Sequence, residues 1–248
     1  MKRRKIIGAL VAVTAIGLVS CDAENTGSTN GNSVAVNTEV PAAQVANDAA
    51  LLVGDDATAY VINPAESEVH WRIYRAGPLA RLGHSHVISL VEYDGSLALA
   101  DDPADSVWEL SFPVDGLVID NPELRARYGE EFESVPSEDD KEGTKGNMLT
   151  EAVLDGINFP EIRLQGSGFT GTLDDASLPV SIQILGRTIE QTFPASISIT
   201  EDTVTVTGEY RLTHADLGME VFSLLGGAMA VGEDIDFTYR LVAVAVDP

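Results

Sequence analysis

Two histidines stand two residues apart in the stretch Arg81-Leu82-Gly83-His84-Ser85-His86-Val87-Ile88-Ser89-Leu90. Alternate side chains of an extended strand share a face, so the spacing predicts His84 and His86 beside Leu82, Ile88 and Leu90 on an apolar face. A third, His214, is in phase with Val204, Val206, Tyr210 and Leu212 of a later strand pattern and turns the same way. The fourth, His70, alternates with Val69, Trp71 and Ile73 and is read as facing solvent. Three imidazoles turned into one interior allow three chemistries. They could ligate zinc, copper or iron, with Glu92 in the same phase as a carboxylate partner. They could hydrogen-bond the polar head of a ligand whose tail lies among apolar side chains. Or each could hold a local backbone or carboxylate group and serve structure alone.

Enzymatic chemistry finds no support in the motifs. The chain has no Gly-x-Ser-x-Gly elbow, no phosphate-cradling glycine loop and no His-Glu-x-x-His helix. It is therefore read as a binding protein, not an enzyme. Asp216 and Gly218 are read as turn chemistry, the Asp capping and the Gly allowing positive φ. Gly226-Gly227 is read as a turn between strands, with Met229 in the core.

The elements that must position the histidines are strands. Apolar residues alternate through Val69–Ile73, Trp108–Val114, Val180–Ile184, Ile197–Ile199 and Val204–Leu212, and a last strand runs over Asp234–Val246. Gly186-Arg187 and Glu201-Asp202 read as turns between them. Many short strands with turn residues between them predict an all-β antiparallel barrel or sandwich. One segment departs: Asn121–Leu154, with Pro122 at a helical start before Leu124, Tyr128 and Phe132, then an acidic loop and then Asn147–Leu154, predicts one or two short helices between strands. If the strands close around an apolar interior, Trp71, Ile73, Leu110, Phe112, Val206 and Tyr210 are the candidate tail contacts.

The first part of the chain has another character. Four of the 15 basic residues lie at Lys2–Lys5, before the apolar run Ile6–Val19. That is the pattern of a secretory signal peptide over residues 1–20. Leu18-Val19-Ser20-Cys21 resembles the lipobox of bacterial lipoproteins. Cys21, the only cysteine, is then the lipidated residue, and Asp22 beside it favours retention at the inner membrane by the enterobacterial rule. Residues 21–58 are polar and low in aromatics, a disordered tether whose 37 or so residues reach roughly 30–35 Å. The 11 remaining basic residues face 39 acidic ones, which excludes nucleic acid as a partner and favours solubility. Residues 59–248 then form one domain on the periplasmic side of a membrane.

Several motifs, taken in order, resemble the YceI-like family. They are Tyr60-Val61-Ile62-Asn63-Pro64 before Ser67-Glu68-Val69, then Phe159-Pro160-Glu161-Ile162 after the helical insertion. Ile184-Leu185-Gly186-Arg187-Thr188, Arg211-Leu212-Thr213-His214-Ala215-Asp216-Leu217-Gly218 and Gly232-Glu233-Asp234-Ile235-Asp236-Phe237 follow. The resemblance implies an extended lipocalin-like antiparallel β-barrel that is exported and holds a polyisoprenoid in its interior. Asn63 stands where the family usually has Asp, and Gly83–His86 replaces a Phe-rich strand, so this chain is read as a subfamily. The expectation is a lipid-anchored barrel that binds a long apolar ligand such as an isoprenoid or quinone-like lipid, with a homodimer as a further possibility. The alternative is a metal- or haem-associated redox accessory protein that uses His84, His86 and His214.

Overall fold

Alternation of apolar and polar side chains dominates the domain, and the described residues answer it with thirteen strands. The structure, a computed structural model, describes residues 57–246; the signal peptide, Cys21 and nearly all of the tether lie outside the described residues. The strands are β1 Thr58–Ile62, β2 Glu68–Ala76, β3 His86–Leu90, β4 Asp94–Leu99, β5 Val107–Pro113 and β6 Val118–Ile119. After the insertion come β7 Glu161–Ser167, β8 Thr170–Thr172, β9 Asp175–Ile184, β10 Arg187–Ile199, β11 Thr203–Thr213, β12 Ser223–Leu224 and β13 Met229–Ala245.

Eight of these close a ring in the order β1-β4-β5-β7-β9-β10-β11-β13, with β13 returning to β1 through Tyr60 opposite Ala245 and Ile62 opposite Ala243. Every pairing in the ring is antiparallel. The fold is the all-β lipocalin-like barrel, and closure leaves its eight strands without a free edge along the seam. The 17-residue β13 serves both halves: its later part meets β1, and its earlier part meets β2, from which β3 and β6 continue. A bulge between Val231 and Ile235 shifts the register of β13 against β2.

The β9–β10 hairpin turns on Leu185 and Gly186, one residue earlier than the sequence predicts. Both have positive φ, 52° and 68°, as the two-residue turn that matches strand twist requires. A side chain at Gly186 would also strike the Phe159 ring.

The insertion forms two helices, α1 Pro122–Arg125 and α2 Glu138–Met148. Asn121 caps α1 through its side chain, with Pro122 in the first turn. The acidic stretch expected to be a loop is largely helical. Ser137 and Asp140 form a reciprocal capping box, and Glu138, Asp139 and Asp140 lie in the first turn, where carboxylates favour a helix. Those terms hold α2 together despite Gly143 and Gly146 in its interior. The insertion covers the outer face of β2 and β3 with a small second core of Val87, Leu124 and Phe132.

Candidate functional site

The barrel interior is not filled. An apolar cavity of about 520 Å³ runs through it. One end is lined by Leu99, Trp108, Phe169 and Ile199, and the other holds His84, His86 and His214. Between them lie Trp71, Ile73, Leu110, Phe112 and Val206, all on inward-facing strand positions as the alternation predicts. Trp71 packs on Phe237 with ring centroids 5.7 Å apart. Tyr210, expected on the wall, does not line the cavity. Its ring stacks on Phe193 at 4.9 Å, and Phe193 takes the cavity side.

The three histidines all border the cavity but do not meet. His84 precedes β3, in a loop after the 3-10 turn Ala80–Leu82, so the strand alternation does not govern it. It is nonetheless close to its neighbour, the His84 and His86 rings standing 6.2 Å apart edge to face. His214 belongs to the end of β11. Passing from it to His86 crosses β13 and β2, three strand spacings or roughly 14 Å along the sheet. Among the described residues no three His, Cys, Asp or Glu groups gather as a metal site. His84, His86 and His214 therefore do not form the single three-histidine metal cluster expected of them. Glu92 is exposed beyond the end of β3 and does not join the histidines.

His70 is a second correction. It does point away from the interior, yet it is only 1% exposed because the insertion lies over it. Its Nε2 bonds to the Tyr128 hydroxyl, and its Nδ1 lies 3.4 Å from the Glu68 carboxylate. Burial pushes its pKa down. Arg72 lies over the Tyr128 ring, 4.3 Å from its centre.

His86 is held by groups the sequence did not point to. Asp120, directly after β6, has its side chain fully buried and a positive φ of 56°. Its Oδ2 lies 2.6 Å from His86 Nδ1, while Oδ1 accepts from the Val87 amide and from Arg125. Burial raises the Asp120 pKa, but hydrogen bonds from His86, Val87 and Arg125 outweigh it and hold the carboxyl below its ordinary value. Arg125 also donates to the Ser85 and Ser134 carbonyls, so one buried guanidinium ties α1 to the residues beside His86. Helix α2 closes the site from above. Asp140, Thr144 and Asn147, spaced i, i+4 and i+7 and hence on one helical face, all border the cavity. Thr144 Oγ1 lies 3.4 Å from His86 Nε2, and Asp140 Oδ2 lies 3.9 Å from His84 Nε2. The Ser137-x-x-Asp140 cap and that spacing were the available signals for this face.

His214 is fixed differently. Its Nδ1 lies 3.0 Å from the Glu233 carbonyl, which the β13 bulge turns toward it, and its backbone amide donates to the same oxygen. Asp216 binds the Thr213 amide and hydroxyl, each at 2.7 Å, and Gly218 takes φ 66°, the turn roles expected of both. Met229 borders the cavity.

A closed eight-strand barrel with an apolar bore and the ordered motifs above is matched by one family description, the YceI-like domain, over residues 60–243. The chain belongs to the YceI-like family. Among solved structures, BcnA of Burkholderia cenocepacia is similar in fold, with a TM-score of 0.53 at 10% identity, covering 73% of this chain and 98% of that one. A polyisoprenoid binding domain from Saccharophagus degradans, implicated in plant cell wall breakdown, gives 0.48 at 7% identity over 76% and 99%. The Campylobacter jejuni YceI protein gives 0.46 at 8% identity over 64% and 85%. No curated protein gives a significant match. At 10% identity the likeness to BcnA supports the fold alone, and the histidine end is interpreted from this chain's own residues.

Proposed function

We propose that this protein is an exported, lipid-anchored carrier or receptor that holds one long apolar lipid, of isoprenoid or quinone-like type, inside its barrel. The observation that carries the reading is the continuous apolar cavity, with its charged and imidazole side chains (Arg75, His84, His86, Asp140, His214 and Glu220) at one end. A cavity of about 520 Å³ falls within the ordinary range for small-ligand sites, roughly 300–1,000 Å³. A chain-like ligand in the apolar bore would make dispersion contacts along its whole wall. Membership of the YceI-like family supports the isoprenoid class.

The entrance supports a membrane source for that ligand. Leu82 and Leu224 border the cavity and are 58% and 46% exposed, with Leu225 beside them at 73%. Exposed leucines around an apolar mouth give a hydrophobic ligand a path that avoids water. Lys2–Lys5, the apolar run after it and Cys21 support export and acylation.

Native mass spectrometry and lipid extraction of the purified domain test the binding. One co-purifying apolar molecule per chain, or stoichiometric uptake of a prenyl chain, is expected. A barrel that neither retains nor takes up such a chain overturns the reading. Labelling of the full chain with a palmitate analogue, abolished by Cys21→Ser, tests the anchor.

A further inference from the structure

The histidine end carries a statement about the ligand's head. Asp120 lies below its ordinary pKa and is ionised at neutral pH, so it can only accept. The 2.6 Å contact with His86 Nδ1 therefore places a proton on Nδ1. Thr144 faces the other ring nitrogen, but its hydroxyl donates to the Asp140 carbonyl at 2.8 Å, since that carbonyl too can only accept. Its one proton is used there. In the neutral ring His86 Nε2 is left as a lone pair at the cavity wall, with a Thr oxygen 3.4 Å away that has no proton to offer. The same reasoning puts the His214 proton on Nδ1, against the Glu233 carbonyl.

The charges around this end rule on ionic heads. Among the described residues Arg75 is the one Lys or Arg side chain bordering the cavity, and it is held at 3.1 Å by Glu131. Arg125, behind His86, is paired with Asp120. Asp140 and Glu220 border the cavity as carboxylates. A phosphate or carboxylate head would meet two acidic groups and only a neutralised cation.

Resting on the apolar-ligand reading above, we propose that His86 Nε2 is the acceptor for a neutral hydroxyl head, so that the barrel selects chains ending in an O–H donor. A prenyl alcohol and a hydroquinone carry that group. The corresponding ether, quinone, phosphate and diphosphate do not present a neutral O–H to the ring in the same way.

The experiment measures binding of geranylgeraniol, its methyl ether and its diphosphate to the purified domain, with decyl-hydroquinone against decyl-benzoquinone as a second pair. One net hydrogen bond corresponds to about three- to tenfold. The alcohol is expected to bind more tightly than the ether by that factor, the diphosphate more weakly than both, and His86→Phe is expected to bring the alcohol down to the ether's affinity. Which O–H source the site prefers is decided by comparing the alcohol–ether ratio with the hydroquinone–quinone ratio. Long-range ¹H–¹⁵N spectra of the unsubstituted domain at pH 7.5 provide a readout that needs no variant, with the His86 proton expected on Nδ1. An Nε2–H tautomer, an imidazolium at that pH, or equal binding of alcohol and ether overturns the inference while leaving the apolar cavity reading intact. Tightest binding of the diphosphate also overturns it. Failure of every prenyl compound to bind overturns both.

Discussion

Asp120 Oδ2 stands 2.6 Å from His86 Nδ1, and the same carboxylate accepts from Arg125 on its other oxygen. One buried anion thus joins an imidazole facing the bore to a guanidinium facing the outer core. Removing it leaves Arg125, which is 5% exposed, without its countercharge. Breaking such a pair from one side costs about 3–5 kcal/mol. Asp120→Asn is therefore expected to lower the denaturant midpoint strongly, and a change below about 1 kcal/mol would contradict the role given to this carboxylate.

Acid tests the same group by titration. Its folded-state pKa lies below the ordinary 3.8, so the stability it contributes is fully present above that value. It is lost as pH falls through the depressed folded-state pKa. Asp236, held low chiefly by Arg211 and also accepting from Tyr74, behaves alike. Stability measured from pH 5 down to pH 2 should fall steeply, and the slope should be shallower in Asp120→Asn. Parallel slopes would argue against it.

The alkaline limb belongs to tyrosine. Burial pushes Tyr239 up to about 12, and its hydroxyl donates to the Pro194 carbonyl. A phenol with a raised folded-state pKa gives stability that is fully present below its ordinary 10.0 and lost as pH rises toward about 12. The neutral side chain is the one the fold favours. Tyr239→Phe should flatten the fall in stability between those values, while costing about 1 kcal/mol at neutral pH for the lost hydrogen bond.

Gly166 of β7 leaves room for Trp108 of β5. A Cβ at Gly166 would come within 2.4 Å of the indole nitrogen. Gly166→Ala should displace the indole into the bore, at about 1–3 kcal/mol for overpacking. Weaker prenyl-chain uptake and altered tryptophan fluorescence should accompany it. Unchanged uptake would place the ligand elsewhere than at Trp108.

Ser137 decides whether α2 stays over the site. Ser137→Ala removes the cap and should cost about 1 kcal/mol, seen as faster amide exchange in α2. Because α2 carries Thr144 and Asn147 to the cavity, the head-group preference should weaken with it. Unchanged exchange would mean that packing of Met148 and Leu149 holds the helix without the cap.

How far the sequence reaches can be seen residue by residue. Period-two alternation distinguishes inner from outer positions, and Trp71, Ile73, Leu110, Phe112 and Val206 border the bore for that reason. It does not show what covers the outer face, and His70 is buried by Tyr128 from another segment. Nor does it resolve neighbours on the same wall, where Phe193 displaces Tyr210. Strand phase also cannot measure distance around a curved sheet, so His214 and His86 border one cavity without belonging to one cluster. Asp120 and Arg125 carry no sequence signature. Their partnership depends on a positive-φ residue ending β6 and a four-residue helix returning the chain to it.

The seam between β1 and β13 brings Tyr60 opposite Ala245, residues from the two ends of the described chain. Nearly all the backbone between them must be ordered before that contact forms, and such long closures slow folding more than they weaken the product. The barrel should therefore form in one late, cooperative step after synthesis of its last strand. A chain ending before Val242 would present open strand edges, not a smaller barrel, and should aggregate.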